Sequence, residues 1–367
     1  MVAALNKITR VLVVDDSPTI CTVLTTCIHS DPELRVVGTA GNGQEALRLL
    51  AQLRPDVVTM DVNMPVMDGF ETIRHIMAYQ PTPILILSST IFQSGTNQPF
   101  EAMRLGALDV VDKAQYCLGD SPTSKQQDLT NRLKTLSRVR VIRHPLIKVQ
   151  QRFVAPRLDT PRVPSSARLP VGQQRILAIA SSTGGPQALL TVLKALPADL
   201  PCGVVIVQHI SPGFDTGLAT WLDSQCALTV KMGTAGALIE PGTAYVASCG
   251  AHMGVTPQGT IKLWDGPLCE FQKPSGTLLF QSVAAAYGDR AVAVILTGMG
   301  RDGADGMRDI RQAGGRAIAQ DEVSCIVFGM PKAAIELGVV DYVRPLDQIP
   351  AAILAALNLR PKKEAAK

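Results

Sequence analysis

The chain has 367 residues, a length that favours about two domains, each with a hydrophobic core of its own. Its hydrophobic fraction of 46% is ordinary for a globular protein, and no apolar run reaches the roughly 20 residues that span a bilayer, which argues against membrane insertion. The net charge of +4 is unevenly distributed: residues 1–120 carry 8 Lys and Arg against 13 Asp and Glu, residues 121–172 carry 11 against 2, and residues 173–367 carry 16 against 16.

The first region alternates short apolar runs with helix signals. Its N-terminal residues lack the apolar core of a secretion signal and lead straight into an apolar run at 11–14, so we expect a cytoplasmic protein. Similar runs at 57–60 and 84–87 indicate buried strands, and Ser17 before Pro18 is a favoured start of a helix. This alternation predicts a doubly wound α/β domain with a parallel sheet over residues 1–120.

Acidic residues directly follow two of these strands. Asp15 and Asp16 come after the first and Asp61 after the second, so the carboxyl edge of a parallel sheet would bring three carboxylates together. A hard divalent cation such as Mg²⁺ would relieve their mutual repulsion. Ser88 and Lys113 would add a hydroxyl and an ammonium at the same edge, which suits a bound phosphoryl group. Taken alone, Asp15 and Asp16 could merely cap the following helix.

Residues 121–172 differ in composition, because they contain six prolines and few acidic residues. We predict a basic Pro-rich linker, in which residues 127–142 could form an amphipathic helix with leucines at helical spacing. The positive charge could suit a DNA-binding regulator, but interleaved aromatic residues and a recognition motif are lacking, so no nucleic-acid partner is expected. A third region is predicted over 173–356, followed by a polar tail at 357–367.

Three apolar runs in the third region each lead to a residue type that is used in catalysis, namely Ser182, His209 and Asp302. Each run is short, rich in Val and Ile and non-alternating, which is typical of a strand buried on both faces of a parallel sheet. Because the carboxyl ends of such strands lie along one edge, the three side chains are expected to meet there. The eight cysteines are scattered without a CxxC pair or zinc spacing, so we expect neither disulfides nor a cofactor in this region.

Serine, histidine and aspartate form a hydrolytic triad when the histidine takes the serine proton and the aspartate holds the imidazole. Thr183 and Gly184 precede a helix that begins near Pro186, so their backbone N–H groups could bind an oxyanion, with the Met299 N–H as a further donor. Each residue alone has a plainer interpretation: a helix cap, a structural histidine or a turn. The glycines could also cradle a phosphate, although the GxGxxG and Walker patterns are absent.

Residues 9–120 resemble a response-regulator receiver domain. The matching residues are Asp15, Asp16, Asp61, Met64-Pro65, Met67-Asp68-Gly69, Ser88 and Lys113. The resemblance implies that a histidine kinase of the CheA type phosphorylates Asp61, that Asp15, Asp16 and Asp61 hold Mg²⁺, and that Ser88 and Lys113 sense the phosphoryl group. Receivers usually have proline where this chain has Ala114, so the local geometry is expected to differ.

Residues 173–356 resemble the catalytic domain of the CheB family of chemotaxis protein-glutamate methylesterases, and the order of receiver, linker and esterase matches that family. The matching motifs are Ser-Thr-Gly-Gly-Pro at 182–186, Gln-His at 208–209, Pro-Gly at 241–242, Leu-Thr-Gly-Met-Gly-Arg-Asp-Gly at 296–303, Gly-Gly at 314–315, Gln-Asp at 320–321 and Phe-Gly-Met-Pro at 328–331. The resemblance implies that Ser182 is the nucleophile, His209 the base and Asp302 the orienting acid.

Two positions depart from the family pattern. Ser181 stands where the family commonly has alanine, which makes it a rival nucleophile, although Ser182 abuts the Thr-Gly-Gly motif. Thr277 replaces an aspartate, so substrate preference or domain docking is expected to differ there.

The sequence therefore predicts a phosphorylation-activated hydrolase that removes methyl esters from glutamate side chains of chemoreceptors, and the resemblance also implies deamidation of receptor glutamines. The unphosphorylated receiver would lie over the active site, and phosphorylation of Asp61 would open it. Two alternatives remain, a phospho-switched binding module on an inactive esterase fold and a DNA-binding regulator. The presence of all three triad residues argues against the first, and the electrically neutral third region argues against the second.

Overall fold

The computed structural model describes residues 8–88, 98–117, 123–139, 141 and 174–358. Within these residues, most strands belong to two parallel sheets, one of five strands and one of seven, which confirms the predicted α/β class. Residues 121, 122, 140 and 142–172 of the predicted linker and the tail from residue 359 lie outside the described residues.

The N-terminal sheet is doubly wound. Its strands are Thr9–Val14 (β1), Leu34–Ala40 (β2), Val57–Met60 (β3), Ile84–Ser88 (β4) and Asp109–Asp112 (β5). They pair in the order β2-β1-β3-β4-β5, always in parallel. The helices of this half are Pro18–His29 (α1), Gly43–Leu53 (α2), Gly69–Tyr79 (α3), Gln98–Arg104 (α4), Ala114–Cys117 (α5) and Thr123–Leu136 (α6). Ser17 caps α1 and Pro18 occupies its first turn, as the sequence predicts.

Helix α6 differs from the sequence prediction in both position and packing. It spans Thr123–Leu136 rather than residues 127–142, and its leucines Leu129, Leu133 and Leu136 are fully buried. They join the cluster formed by one face of the N-terminal sheet and α1. The receiver core therefore extends past residue 120, and the amphipathic pattern that suggested a helix in a linker instead forms the last helix of that domain.

The C-terminal sheet has seven parallel strands. Its strands are Ile176–Ser181 (β6), Gly203–Gln208 (β7), Thr229–Met232 (β8), Thr243–Val246 (β9), Ala291–Ile295 (β12), Arg316–Gln320 (β13) and Tyr342–Arg344 (β14), in the order β14-β13-β12-β6-β7-β9-β8. Two further strands, His252–Val255 (β10) and Ile261–Trp264 (β11), form a separate antiparallel hairpin. The helices are Gly185–Lys194 (α7), Asp215–Gln225 (α8), Gly276–Tyr287 (α9), Ala304–Gln312 (α10), Met330–Glu336 (α11) and Ile349–Ala356 (α12).

The three apolar runs of the third region form central strands of this sheet. Every residue of β6, β7 and β12 is buried, as expected for strands with helices on both faces. The seven cysteines whose side chains are described are free thiols, in line with the absence of a disulfide pattern. No helix among the described residues is both long and apolar enough to cross a membrane.

Candidate active site

Neighbouring strands bring the predicted triad to one edge of the seven-stranded sheet. Strand β6 lies between β7 and β12 and pairs in parallel with both. Ser182 directly follows β6, His209 directly follows β7, and Asp302 lies near the end of the loop that connects β12 to α10. The N–H of His209 donates to the Ser181 carbonyl at 2.9 Å, which extends the strand register to the start of the site.

The Asp302 carboxylate is 2% exposed and accepts four hydrogen bonds. Oδ2 lies 2.8 Å from His209 Nε2 and 2.6 Å from the Gly276 N–H, while Oδ1 accepts from Ser275 Oγ at 2.7 Å and the Thr277 N–H at 3.0 Å. Burial alone would raise the pKa of this carboxyl, but the hydrogen bonds from His209, Ser275 and Thr277 outweigh burial and lower the pKa to about 2. Asp302 is therefore ionised at neutral pH and holds the imidazole in one orientation.

The other ring nitrogen of His209 is buried without a hydrogen-bond partner. Buried polar atoms are rarely left unpaired, because each one costs about 1–3 kcal/mol of desolvation. Since Nε2 is bonded to Asp302, Nδ1 is the nitrogen that can accept a proton. The arrangement suits a general base whose partner is a substrate or a neighbouring hydroxyl.

Ser182 is held close to the loop after β12. Its N–H donates to the Thr297 carbonyl at 3.0 Å. A Cβ atom on Gly298 would lie 2.7 Å from Ser182 Cβ, a distance that real side chains do not tolerate, so this position requires glycine. Thr297 Oγ1 also donates to the Thr183 carbonyl at 2.9 Å, which fixes the two loops against each other.

The two adjacent serines are in different environments. Ser181 is the last residue of β6, is fully buried, and donates its hydroxyl proton to Gln208 Oε1 at 2.6 Å. The Gln208 side-chain amide in turn donates to the carbonyls of Ser182 at 2.8 Å and His209 at 2.7 Å. Gln208 thus accepts the hydroxyl proton of Ser181 in a hydrogen bond and holds the segments that begin at Ser182 and His209 in place. In the sequence, Gln208 stands out only as part of a motif, and its place at the end of an apolar run is the signal that could have identified it.

The candidate oxyanion donors lie around the start of α7. Gly184 is the N-cap of this helix and has a φ of 77°, a conformation that favours glycine. Thr183 and Gly184 therefore lie at the positive end of a ten-residue helix, as predicted. Met299 lies next to Gly298, the residue that abuts Ser182, and its side chain is 40% exposed.

Thr277 is 5% exposed and belongs to the framework of the site. Its Oγ1 accepts a hydrogen bond of 2.7 Å from the N–H of Gly303, the N-cap residue of α10, and its own N–H donates to Asp302. The side chain therefore joins the start of α9 to the start of α10. Because it is buried, this departure from the family pattern is not exposed to a docking partner.

The five-stranded sheet gathers the predicted acidic cluster at its own carboxyl edge. Ligand oxygens of Asp15, Asp16 and Asp61 lie within 4.8 Å of one another. Lys113 Nζ lies 2.6 Å from Asp15 Oδ2 and 2.9 Å from Asp61 Oδ2. Ser88, which is buried, ends β4, and its carbonyl accepts from the Lys113 N–H at 3.0 Å. These five residues therefore converge as the sequence predicts.

Burial changes the proton affinities of this cluster. Burial raises the pKa of Asp61, and the hydrogen bond and charge of Lys113 oppose that rise only in part. Burial disfavours the Lys113 ammonium, yet its hydrogen bonds to Asp15 and Asp61 prevail and raise the pKa of Lys113. The cluster offers oxygen ligands at a spacing that fits a hard divalent cation such as Mg²⁺.

Ala114 begins the short helix α5, and its N–H donates to Asp112 Oδ1 at 2.9 Å. A proline could not make this bond, because it has no backbone N–H. The peptide bond between Lys113 and Ala114 is trans.

Elements α4, β5 and α6 of the N-terminal half contact the C-terminal half. Phe100 in α4 stacks on Trp221 in α8, with ring centroids 5.6 Å apart and an interplanar angle of 24°. The Asp112 N–H lies 3.4 Å from Ser211 Oγ. The hydroxyl oxygen of Thr135 in α6 lies 3.9 Å from the Met299 sulfur. The two halves therefore meet beside the triad loops.

A partly buried ion pair joins β5 to α6 close to Thr183, the residue that follows Ser182. Arg132 Nη1 lies 2.7 Å from Asp109 Oδ2, and Arg132 Nε lies 2.9 Å from Asp128 Oδ2. The Thr183 side chain lies close to the same Asp109 carboxylate. Burial raises the pKa of Asp109 in spite of the opposing charge of Arg132. The receiver thus contacts one of the candidate oxyanion residues directly.

Comparisons with known proteins find the same two modules. The CheB methylesterase family model matches residues 177–353, and the response regulator receiver domain model matches residues 11–116. A protein-glutamate methylesterase/protein-glutamine glutaminase of Anaeromyxobacter dehalogenans is 43% identical over 341 residues, which cover 93% of this chain and 96% of that protein. One from Pyrococcus abyssi is 40% identical over 358 residues, covering 95% and 94%. The crystal structure of the Thermotoga maritima CheB methylesterase catalytic domain is 39% identical, with a TM-score of 0.49, and covers 50% of this chain and 98% of that chain.

Proposed function

This chain belongs to the CheB methylesterase family, and we propose that it hydrolyses glutamyl methyl esters and deamidates glutamines of chemoreceptors under the control of its receiver. The observation that carries the proposal is the buried His209 ring. One nitrogen is bonded to the ionised Asp302, and the other is buried and unpaired. This geometry favours an active hydrolase over a binding module on an inactive esterase fold.

The reaction requires a hydroxyl nucleophile, a base and a site for negative charge. Ser182 Oγ attacks the ester carbonyl carbon while its proton moves to His209 Nδ1. The imidazolium, stabilised by Asp302, gives that proton to the departing methoxide, which leaves as methanol, or to the amide nitrogen of a glutamine, which leaves as ammonia. Water then attacks the acyl-enzyme and gives a proton to His209. Collapse of the second intermediate returns this proton to Ser182 and releases a glutamate side chain.

Ser182, rather than Ser181, is the nucleophile in this proposal. The Ser181 hydroxyl is fully buried and already donates to Gln208, so its use would break a short hydrogen bond inside the core. Ser182 lies beyond the strand end and precedes α7, so the N–H groups of Thr183 and Gly184 and the helix dipole are near the charge that develops on the substrate oxygen. Met299 is proposed as the further donor through its N–H.

The receiver is proposed to control access. A kinase of the CheA type would transfer a phosphoryl group to Asp61, with Ser88 and Lys113 contacting it. A divalent cation, for which Mg²⁺ is the candidate, would supply positive charge to the phosphoryl oxygens when held by Asp15, Asp16 and Asp61. In the arrangement described here, receiver residues contact Thr183 and Met299, which supports a restrictive state that phosphorylation loosens.

The test measures methanol release from a methylated receptor fragment, with and without a small phosphodonor and Mg²⁺. We expect release that increases with the phosphodonor, is lost in Ser182→Ala and loses only its activation in Asp61→Ala. Ser181→Ala is the matched control and should retain most of the activity. Activity that survives in Ser182→Ala but not in Ser181→Ala would reverse the assignment of the nucleophile. No release by the wild-type protein from a fragment that another methylesterase demethylates would contradict the proposed substrate.

A further inference from the structure

An exposed apolar hairpin lies next to the segment that holds Asp302. The hairpin is defined here as residues 268–272. Cys269 and Gln272 exchange two backbone hydrogen bonds of 3.1 and 2.9 Å around a two-residue turn. Phe271, at the turn, is 89% exposed, and Leu268, just before it, is 61% exposed. Two large apolar side chains therefore face solvent on one short loop, where a soluble surface usually carries polar residues.

The turn keeps these side chains in place at an energetic cost. Glu270 and Phe271 have φ values of 50° and 62°, both in the left-handed region. Two-residue hairpin turns with this geometry favour Asn and Gly, because other side chains are strained there. Phe271 gains no core contact in return, since it is almost fully exposed. Strain that persists at an exposed apolar position is more often retained for recognition than for stability.

The base of the hairpin is fixed on both sides. Lys273 Nζ binds Asp265 Oδ1 at 2.6 Å and the Gly266 carbonyl at 3.1 Å. The fully buried His252 contacts the Pro267 carbonyl through Nε2 at 2.9 Å. These bonds join the base of the hairpin to the β10–β11 unit.

The hairpin leads directly into the catalytic framework. Four residues after Phe271 the chain reaches Ser275, whose hydroxyl donates to Asp302. Four extended residues span at most about 14 Å, which limits how far the tip can lie from this framework. Ser182 is only 6% exposed, and a glutamyl side chain is short. A protein substrate must therefore bring its backbone close to this edge of the sheet for its ester to reach the serine.

From these observations we propose that the 268–272 hairpin is a docking element that contacts apolar side chains next to the target glutamyl group of the protein substrate. The inference rests on the proposed function and adds to it a surface that binds the substrate at side chains other than the reacting glutamyl group. Its continuity with the Asp302-binding segment connects this recognition to the site, as expected where remote binding energy serves to orient a substrate.

The experiment compares a methylated receptor fragment with p-nitrophenyl acetate, a small ester that has no flanking side chains for the hairpin to bind. Phe271→Ala should raise KM for the fragment about ten-fold with kcat changed less than two-fold, because ten-fold corresponds to about 1.4 kcal/mol of lost contact. The loss of kcat/KM should be at least five-fold smaller with the small ester. Phe271→Leu, which keeps an apolar side chain, should recover most of the affinity.

Two further variants separate docking from structural effects. Tyr79→Ala removes an exposed aromatic side chain from the receiver and should leave both substrates unaffected. Phe271→Gly relieves the left-handed strain and should not lower the melting temperature, yet should raise KM like Phe271→Ala. Equal losses on both substrates, or a lower melting temperature that accounts for the loss, would overturn the proposal in favour of a structural role.

Binding provides a readout that does not depend on turnover. The dissociation constant of the methylated fragment should be about ten-fold lower for Ser182→Ala than for the double variant that combines Ser182→Ala and Phe271→Ala. Equal affinities would overturn the docking role even if the wild-type enzyme is active. Wild-type inactivity toward a competent fragment would instead contradict the proposed function on which the inference rests, and both would then be rejected.

Discussion

Replacing Asp302 with asparagine tests the proposed triad most directly, because the change is isosteric. The carboxylate accepts four hydrogen bonds, two on each oxygen. An asparagine amide must place its NH₂ group where one pair of donors now points. In one orientation it faces the Thr277 N–H, and in the other it faces the Gly276 N–H and His209 Nε2. Neither orientation satisfies every donor, because backbone N–H groups cannot reverse their role.

The expected effect on catalysis follows from the contact distance. Coulomb's law gives about 6 kcal/mol for unit charges 2.8 Å apart at an effective dielectric constant near 20. The amide dipole of asparagine would recover part of this attraction to the imidazolium, so we expect a net loss of about 4 kcal/mol. That loss corresponds to a decrease of about 10³-fold in kcat. If the NH₂ group faces His209 Nε2, it also forces the proton onto Nδ1, the atom that must accept the serine proton.

The assay is the initial rate of methanol release by Asp302→Asn and by the wild-type protein, both activated by phosphodonor. Urea unfolding of each protein shows whether the fold is retained. Ser275→Ala is a graded control, since it removes one of the four hydrogen bonds but leaves the charge, and it should cost about ten-fold or less. A folded Asp302→Asn variant with a kcat within ten-fold of wild type would refute the assignment of Asp302 as the residue that stabilises the imidazolium.

Three other predictions concern docking, acid stability and metal binding. Phe100→Ala removes the stack on Trp221, and since such pairs contribute about 0.5–1.5 kcal/mol, it should raise methanol release by the unphosphorylated protein roughly two- to ten-fold; an unchanged basal rate would argue against inhibition by docking. The pKa of Asp302 is lowered from 3.8 to about 2, so the ionised carboxylate stabilises the folded protein by about 2 kcal/mol above pH 3.8. This contribution is lost as the pH falls through 2. Urea midpoints measured across this range should therefore fall in the wild-type protein by an amount that Asp302→Asn does not show. Millimolar Mg²⁺ should raise the melting temperature of the wild-type receiver, and Asp16→Asn, which alters an exposed ligand, should diminish that rise; an equal rise in both proteins would place the cation elsewhere.

The sequence was most informative where one strong physical signal dominated. Short apolar runs identified β6, β7 and β12, because only strands buried on both faces lose the alternation of polar residues. The parallel order then predicted that Ser182, His209 and Asp302 share one edge. The charge of helix α6 resembles that of the flanking basic segment, so the sequence alone predicts that this helix belongs to the linker. Its three buried leucines, which decide its position, find their partners in distant parts of the chain.

Other parts of the site depend on contacts that the local sequence does not encode. Gln208 was visible as a polar residue at a strand end, but its bonds to Ser181 and to two carbonyls depend on the pairing of β6 with β7. The contact between Asp109 and Thr183 joins residues of different domains. No periodicity or spacing predicts such a contact, because it depends on how two folded surfaces meet.

The position of β6 between its two catalytic neighbours also limits how the gene can diverge. Ala180 pairs with Ile295 on one side, and Ser181 pairs with Gln208 on the other. An inserted or deleted codon within any of these strands would shift one catalytic side chain by a residue and turn it to the opposite face of the sheet. Length variation among descendants of this gene should therefore accumulate at the opposite edge of the sheet and in the loops between its helices, where an extra residue leaves the distances among Ser182, His209 and Asp302 unchanged.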